Sequence, residues 1–355
     1  MSQIHLETQS DDYHRPSGLL SRSLQTFNKT KLLLLQLSFF ATQYNSNVVN
    51  YKPTTFKILD SVFLSWLSFN SILYFIMCLY LIFKRKSYTK FVDYFNDGIG
   101  NYAKNDHIRK FIAKNRIVTK IHCSFIFIVY LIYGILNISK SYNEPQPYGQ
   151  LAFKLFMDAV RAIVYMNRFV LIEFIVESCL HVQICFKMVS DQIESLIETD
   201  GLLRFEELQK VRQLYDIAVK KTRKLDSLLF MVLPAYYLAC LVSYELHFAA
   251  LINKYDHIHL IIIVREALTL IFVILYVANI NRLANKQFNR VYSLSYKAHS
   301  LEIMNEIRYF LTRIRRNDVG LTLLKIVLIT PAFVTSIATI SLTIALSIPT
   351  IFRKN

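Results

Sequence analysis

The chain has 355 residues, 54% of them hydrophobic, with 41 Lys and Arg against 25 Asp and Glu and a formal net charge of +16. Apolar runs recur along its length, which excludes a soluble domain built on one core and identifies an all-α, polytopic membrane protein. The positive charge sits in the connections beside those runs, where anionic lipid accounts for it and nucleic acid does not.

Residues 1–26 are polar, carry no secretory signal and read as a disordered cytoplasmic tail, and residues 27–355 read as one membrane domain. The first apolar segment, about 30–49, is the weakest, because Gln43, Asn45, Ser46 and Asn47 follow the apolar run Leu32 to Ala41. Stronger runs fall at about 58–83, 117–137, 156–182, 228–250, 260–282 and 321–352. Each can cross a hydrocarbon core of about 30 Å, for which about 20 helical residues suffice. The connections 84–116, 183–227 and 283–319 hold most of the Lys and Arg, whereas 138–155 and 251–259 hold only Lys140, Lys154 and Lys254. Basic loops stay in the cytoplasm. The long loops are therefore inside, and parity requires the segment 30–49 to cross. The expectation is seven transmembrane helices, with the N-terminus inside and Arg353-Lys354-Asn355 outside.

The cytoplasmic connections are patterned as helices. In 183–227 the apolar positions Ile193, Leu196 and Ile197, then Leu208, Val211, Tyr215 and Ala218, keep a helical period. Residues 284–319 do the same with Leu294, Leu301, Ile303, Ile307, Leu311 and Ile314. Two anchor regions, about 183–227 and 284–319, are expected to pack beneath the membrane. The five cysteines fall in or at the ends of spans, which leaves no extracellular pair for a disulfide. Cys179, His181 and Cys185 supply too few ligands on one helix face for a metal site. No Gly-rich phosphate loop, GxSxG or HExxH occurs, so neither an enzyme nor a cofactor is expected.

Two constellations stand out. In the last span, Pro331 is expected to kink the helix. Beyond it Thr335, Thr339, Thr343, Ser347 and Thr350 repeat every three or four residues and form one stripe of hydroxyls. Such a stripe lines a wet pore around a symmetry axis, or it lets helices pack closely. The second constellation is polar residues placed within spans: Asp158, Arg161, Glu245, Arg265 and Glu266, with Tyr130, Tyr133, Tyr165, Tyr236, Tyr237 and Tyr244 at similar depth. They form an aromatic-lined ligand pocket, or an internal ion-pair network with interfacial tyrosines. Arg168 and Glu173, deeper, join the same network or face the cytoplasmic half.

Three passages resemble the insect gustatory receptors, within the seven-transmembrane chemoreceptor superfamily that also holds odorant receptors. They are Tyr88–Asn115 (YTKFVDYFNDGIGNYAKNDHIRKFIAKN), Leu208–Tyr244 with LQKVRQLYDIAVKKTRKL running into the fifth span, and Tyr309–Phe352. In that family the closing span ends in Thr-Tyr, five residues, Gln-Phe. Here Thr343-Ile344, Ala345–Pro349 and Thr350-Ile351 occupy the motif, so only its threonine is kept. The resemblance implies a ligand-gated cation channel of four self or sister subunits in the plasma membrane of sensory neurons. Its seventh helices would line the pore, its ligand would be a small-molecule tastant, and its cytoplasmic helices would join the subunits. The alternatives are a G-protein-coupled receptor of opposite topology, a secondary transporter, and a receptor-like protein that has lost conduction. The first lacks its Asp-Arg-Tyr and Asn-Pro-x-x-Tyr signatures here, and the second its internal repeat.

Overall fold

The computed structural model describes residues 69–91 (apart from 71, 75 and 78), 105–143, 148–199, 201–254 and 257–352. The expected tail 1–26 and the first span 30–49 lie outside the described residues. The fold is that of a helical polytopic membrane protein. Its main helices among the described residues are α1 (Ile72–Phe83), α2 (Asp106–Asn143), α3 (Tyr148–Glu198), α4 (Phe205–Leu229), α5 (Val232–Lys254), α6 (His257–Leu294), α7 (Leu301–Arg315) and α8 (Pro331–Phe352). Among the described residues three stretches are long and apolar enough to span a bilayer, Asp106–Leu136, Arg168–Glu198 and Leu260–Lys297. A fourth arises if α4 and Val232–Phe248, which meet at 58°, form one broken span. Ile72–Phe83 and Pro331–Ile340 are shorter apolar stretches.

Helix α3 is the central column. It runs 51 residues without a break, since after Gly149 it contains neither Gly nor Pro. From Leu171 to Val189 it is buried on nearly every side, with Ile175, Cys179, Val182, Phe186 and Val189 almost fully enclosed. A helix that is apolar all round belongs at the centre of a bundle. Helix α2 is the opposite case, exposing Ile117, Ile121, Phe125, Ile128 and Ile135 to the surroundings. Polar ties join the columns where burial leaves no water: Gln183 Nε2 donates to the Tyr276 carbonyl at 2.7 Å, and Asn279 Nδ2 donates to Gln183 Oε1 at 3.1 Å.

The packing of α4 against α7 follows the apolar period. Leu208, Val211, Tyr215 and Ala218 of α4 are buried, as are Ile303, Ile307, Phe310 and Ile314 of α7. Tyr215 is the hub, meeting Phe186 of α3 edge-on at 5.7 Å and Phe310 of α7 at 5.3 Å. An ion pair between Arg212 and Glu306 closes the same α4–α7 seam. Helix α7 is capped by Ser300, whose hydroxyl accepts from the Ile303 amide at 3.2 Å. The long column ends under Lys297, whose ammonium donates to the Ile197 carbonyl and, at 2.8 Å, to that of Thr199. A cation there satisfies terminal carbonyls and the negative end of the helix dipole.

Three expectations are corrected. Leu301 faces solvent at 75% exposure instead of joining the apolar stripe, because it occupies the first helical position after the Ser300 cap. The helix expected over 321–352 starts at Pro331, and the residues before it form a hairpin in which Thr322 pairs with Leu328 and Leu323 with Val327. Pro331 therefore introduces no kink. It occupies the first helical position, where its missing N–H is not needed, and Thr330 Oγ1 caps the helix by accepting from the Phe333 amide at 3.1 Å.

The segment between α7 and α8 is pinned from several sides. Asn281 of α6 donates to the Val319 carbonyl at 2.9 Å and to Asn317 Oδ1 at 3.1 Å. Asp226 of α4 accepts from the Thr322 amide at 2.6 Å and from its hydroxyl at 2.9 Å. Arg313 and Arg223 pair with Asp318 at 2.8 and 2.9 Å. Partial burial alone would raise the Asp318 carboxyl, but the hydrogen bond and charge of Arg313, with Arg223 behind it, prevail and hold it below its ordinary value. A Cβ on Gly320 would come within 2.9 Å of Leu328 Cδ1, so a side chain there would have to push the Leu328 methyl aside.

Candidate functional site

The first candidate is a buried ionic cluster inside the membrane bundle. Helix α3 supplies Arg168, α6 supplies Arg265 and Glu266, and α5 supplies Cys240. The Glu266 carboxylate accepts from the guanidiniums of both Arg168 and Arg265. Arg168 also donates to Cys240 Sγ at 3.0 Å and lies over the Tyr74 ring of α1 at 5.9 Å. All three charged side chains are nearly enclosed, with Arg168 7%, Arg265 4% and Glu266 2% exposed. Charged groups out of water are costly unless paired and hydrogen-bonded, and within membrane spans they mark sites of function.

An aromatic wall adjoins the cluster. Tyr236 is fully buried and Tyr237 is 7% exposed, their ring centroids 6.1 Å apart. The Tyr237 hydroxyl has no hydrogen-bond partner among the described residues although it is buried. A buried, unpaired donor is expensive, and a ligand that accepts from it removes that cost. Further along α5, Asn70 Nδ2 donates to Ser243 Oγ at 3.4 Å, and half-buried Tyr244 stacks on Phe248 at 6.2 Å. Glu245 is half-buried on the same helix. Of the expected residues, then, Arg265 and Glu266 meet in one network, with Tyr237 on the neighbouring helix. Tyr130 and Tyr133 lie on α2, and Asp158, Arg161 and Tyr165 on α3, but their side chains lie outside the description.

Arg168 takes the first of its two sequence readings and joins this network. Tyr74 and Cys240 were not among the expected residues. Nothing in sequence pairs Cys240 with an arginine 72 residues away.

The second candidate is the exposed face of α8. Thr335, Thr339, Thr343 and Ser347 are all exposed in the isolated chain. Thr339, Thr343 and Ser347 donate to the carbonyl four residues back, at 3.0, 2.9 and 2.8 Å, and Thr335 to that of Ala332 at 2.8 Å. The direction of these bonds has a chemical consequence. Each hydroxyl spends its proton on its own helix, so what it offers outward is oxygen lone pairs. A face of acceptors suits a partly hydrated cation and repels an anion. Thr350 lies on the same helix, with its side chain outside the description.

No family model matches the chain, and no curated protein matches it in sequence. Solved structures do match in fold. The insect olfactory receptor OR5 from Machilis hrabei superposes with a TM-score of 0.58 at 13% identity, over 90% of this chain and 89% of that one. The same receptor in complex with eugenol superposes with a TM-score of 0.63 at 11% identity, over 91% of each chain. The likeness covers nearly the whole length of both proteins and establishes a shared fold.

Proposed function

We propose that this chain is a chemosensory receptor subunit, of the gustatory type its sequence resembles, in which a small organic ligand opens a cation-conducting pore. The observation that carries the reading is the end-to-end match to a receptor fold, OR5, that has been solved with eugenol bound. The ligand would enter among α1, α3, α5 and α6, beside Tyr237 and the Arg168–Glu266–Arg265 network. The outward residues there, Tyr130, Tyr133, Asp158, Arg161, Tyr165, Tyr244 and Glu245, would complete the pocket. Four copies, or copies with a sister subunit, would set their α8 helices around one axis in the plasma membrane. Thr335, Thr339, Thr343, Ser347 and Thr350 would then face the permeant cations.

Twenty-two residues at about 1.5 Å each give α8 a length of about 33 Å, enough to cross the hydrocarbon core. Gating requires the ligand to bind the open arrangement more tightly than the closed one, because equal affinity shifts nothing. The α4–α5 bend at 58° and the linker pinned by Asp226 join the pocket helices to the base of α8, and this is the route by which a change at the pocket reaches the pore. The test is whole-cell recording from cells that express the chain, against a panel of small organic compounds. A cation current that depends on compound supports the reading. Surface expression with no current for any compound, alone or with sister subunits, points to a receptor-like protein without conduction.

A further inference from the structure

The hairpin between α7 and α8 carries a feature that the channel reading does not use. Its turn residues Leu324 and Lys325 both adopt positive φ, 53° and 59°, and the Ile326 amide donates to the Leu323 carbonyl at 2.9 Å. This is the tight turn that hairpins normally build from Asn and Gly. A leucine and a lysine in left-handed backbone are strained, and strain of this kind is kept where the surroundings require it. The turn also turns apolar side chains outward: Leu324 is 48% exposed, Val327 42% and Ile326 80%. The α4–α5 bend lies beside it, with Lys325 Nζ over the Phe230 ring at 5.4 Å and Met231 45% exposed. At the hairpin base Arg223 and Arg313 pair with Asp318, exposed Arg315 and Arg316 lead into the linker, and Lys325 stands in the turn itself, with Asp226 and Asp318 as the carboxylates beside them.

We propose that this hairpin tip is a binding site for anionic phospholipid of the cytoplasmic leaflet, with Leu324, Ile326 and Val327 among the upper acyl chains and Lys325 on the headgroup. The proposal rests on the cytoplasmic placement of this segment in the functional reading above. Apolar side chains beside cations are the pattern that holds a segment at an anionic bilayer surface. The depth follows from the backbone. A two-stranded ribbon has open edges, which hydrocarbon does not tolerate, so the strands stay at headgroup level and only the tip reaches below. Charge argues against a second copy of the chain as the occupant, since tip-to-tip contact would bring like cations together. Because Asp226 and Asn281 clamp the hairpin base directly ahead of α8, lipid held at the tip acts on the cytoplasmic end of the pore helix.

The test uses the full chain, reconstituted in its native oligomer into phosphatidylcholine bilayers doped with brominated phosphatidylserine or brominated phosphatidylcholine. Ile326→Trp places a reporter at the tip, and the signal of the native Trp66 is subtracted using the unsubstituted chain. The expected result is severalfold stronger quenching by brominated phosphatidylserine, with the preference abolished by Lys325→Glu in the same background and weakened by salt. Equal quenching by the two lipids overturns the headgroup assignment. Absence of quenching, with Ile326→Cys cross-linking to a neighbouring subunit, places protein on the tip and overturns the proposal. The readout is lipid proximity, so a chain that conducts no current still tests it. A C-terminal tag found on the cytoplasmic side would instead show that the orientation had failed.

Discussion

Glu266 meets two guanidiniums with a single carboxylate, so neutralising it leaves two cations facing each other out of water. Breaking a buried pair by removing one partner costs about 3–5 kcal/mol. Glu266→Gln should accordingly lower the melting temperature of the detergent-solubilised protein strongly, and adding Arg168→Leu should recover part of the loss. A melt of the single variant matching the parent would show that the cluster is wetter than its burial implies. Tyr237 tests the pocket in the opposite sense. Its hydroxyl has no partner to lose among the described residues, so Tyr237→Phe should leave the melt unchanged or raise it. If the ligand accepts from that hydroxyl, the half-activating concentration should rise about tenfold. An unchanged dose–response curve would remove Tyr237 from the pocket. Individual charged residues inside apolar runs stood out in the sequence because each is costly there. Their partners were not, since the contacts of Arg168 with Glu266 and Cys240 join three helices far apart in the chain.

At the scale of elements, the amphipathic helices α4 and α7 were legible in the period of their apolar residues, and Leu208, Val211, Tyr215, Ile303 and Ile307 are buried as that period requires. The hairpin was not legible, because TLLKIVLI offers no Gly, Asn or Asp where a tight turn normally advertises itself. For the same reason Thr330-Pro331 read as a kink within a long apolar run, when it is the cap and first residue of α8. Lys325→Gly should relieve left-handed strain and stabilise the fold by about 1 kcal/mol, visible as a raised melt. Gly320→Val should do the reverse by driving Leu328 off the hairpin base. The Asp318 pairing has a pH signature. A carboxyl held below its ordinary value contributes stability above about pH 4, the unfolded range for Asp, and loses it as pH falls through the lowered value. Amide exchange in residues 317–329 should therefore hold steady from neutral pH down to mildly acidic pH, beyond the intrinsic pH dependence, and lose protection only below about pH 4. On α8, replacing Thr343 or Ser347 with leucine should reduce single-channel conductance at normal surface density. Unchanged conductance would favour the close-packing role of the hydroxyl stripe.

For the whole molecule, the recurring apolar runs made the fold class legible, because each is long enough to cross a bilayer as a helix. The cross-sectional arrangement was not, since apolar spans are nearly interchangeable in composition: nothing in the sequence of α3 says that it is central and that α2 is peripheral. A C-terminal epitope tag should be labelled on intact cells, and the solubilised particle should have the mass of four chains. Labelling only after permeabilisation, with surface expression confirmed, would reverse the orientation.

The uninterrupted α3 carries a consequence for how such a sequence can change. Each residue added to a helix turns everything beyond it by about 100° and advances it by about 1.5 Å. One insertion near the middle of this 51-residue column would swing Phe186 and Val189 away from their neighbours while Arg168 stayed in place. Substitutions leave that register alone. A protein built on such a column is free to exchange nearly every side chain but not to alter its spacing, so length changes are confined to the connections. That is how two chains with 11–13% identity can still overlay along about nine-tenths of their length.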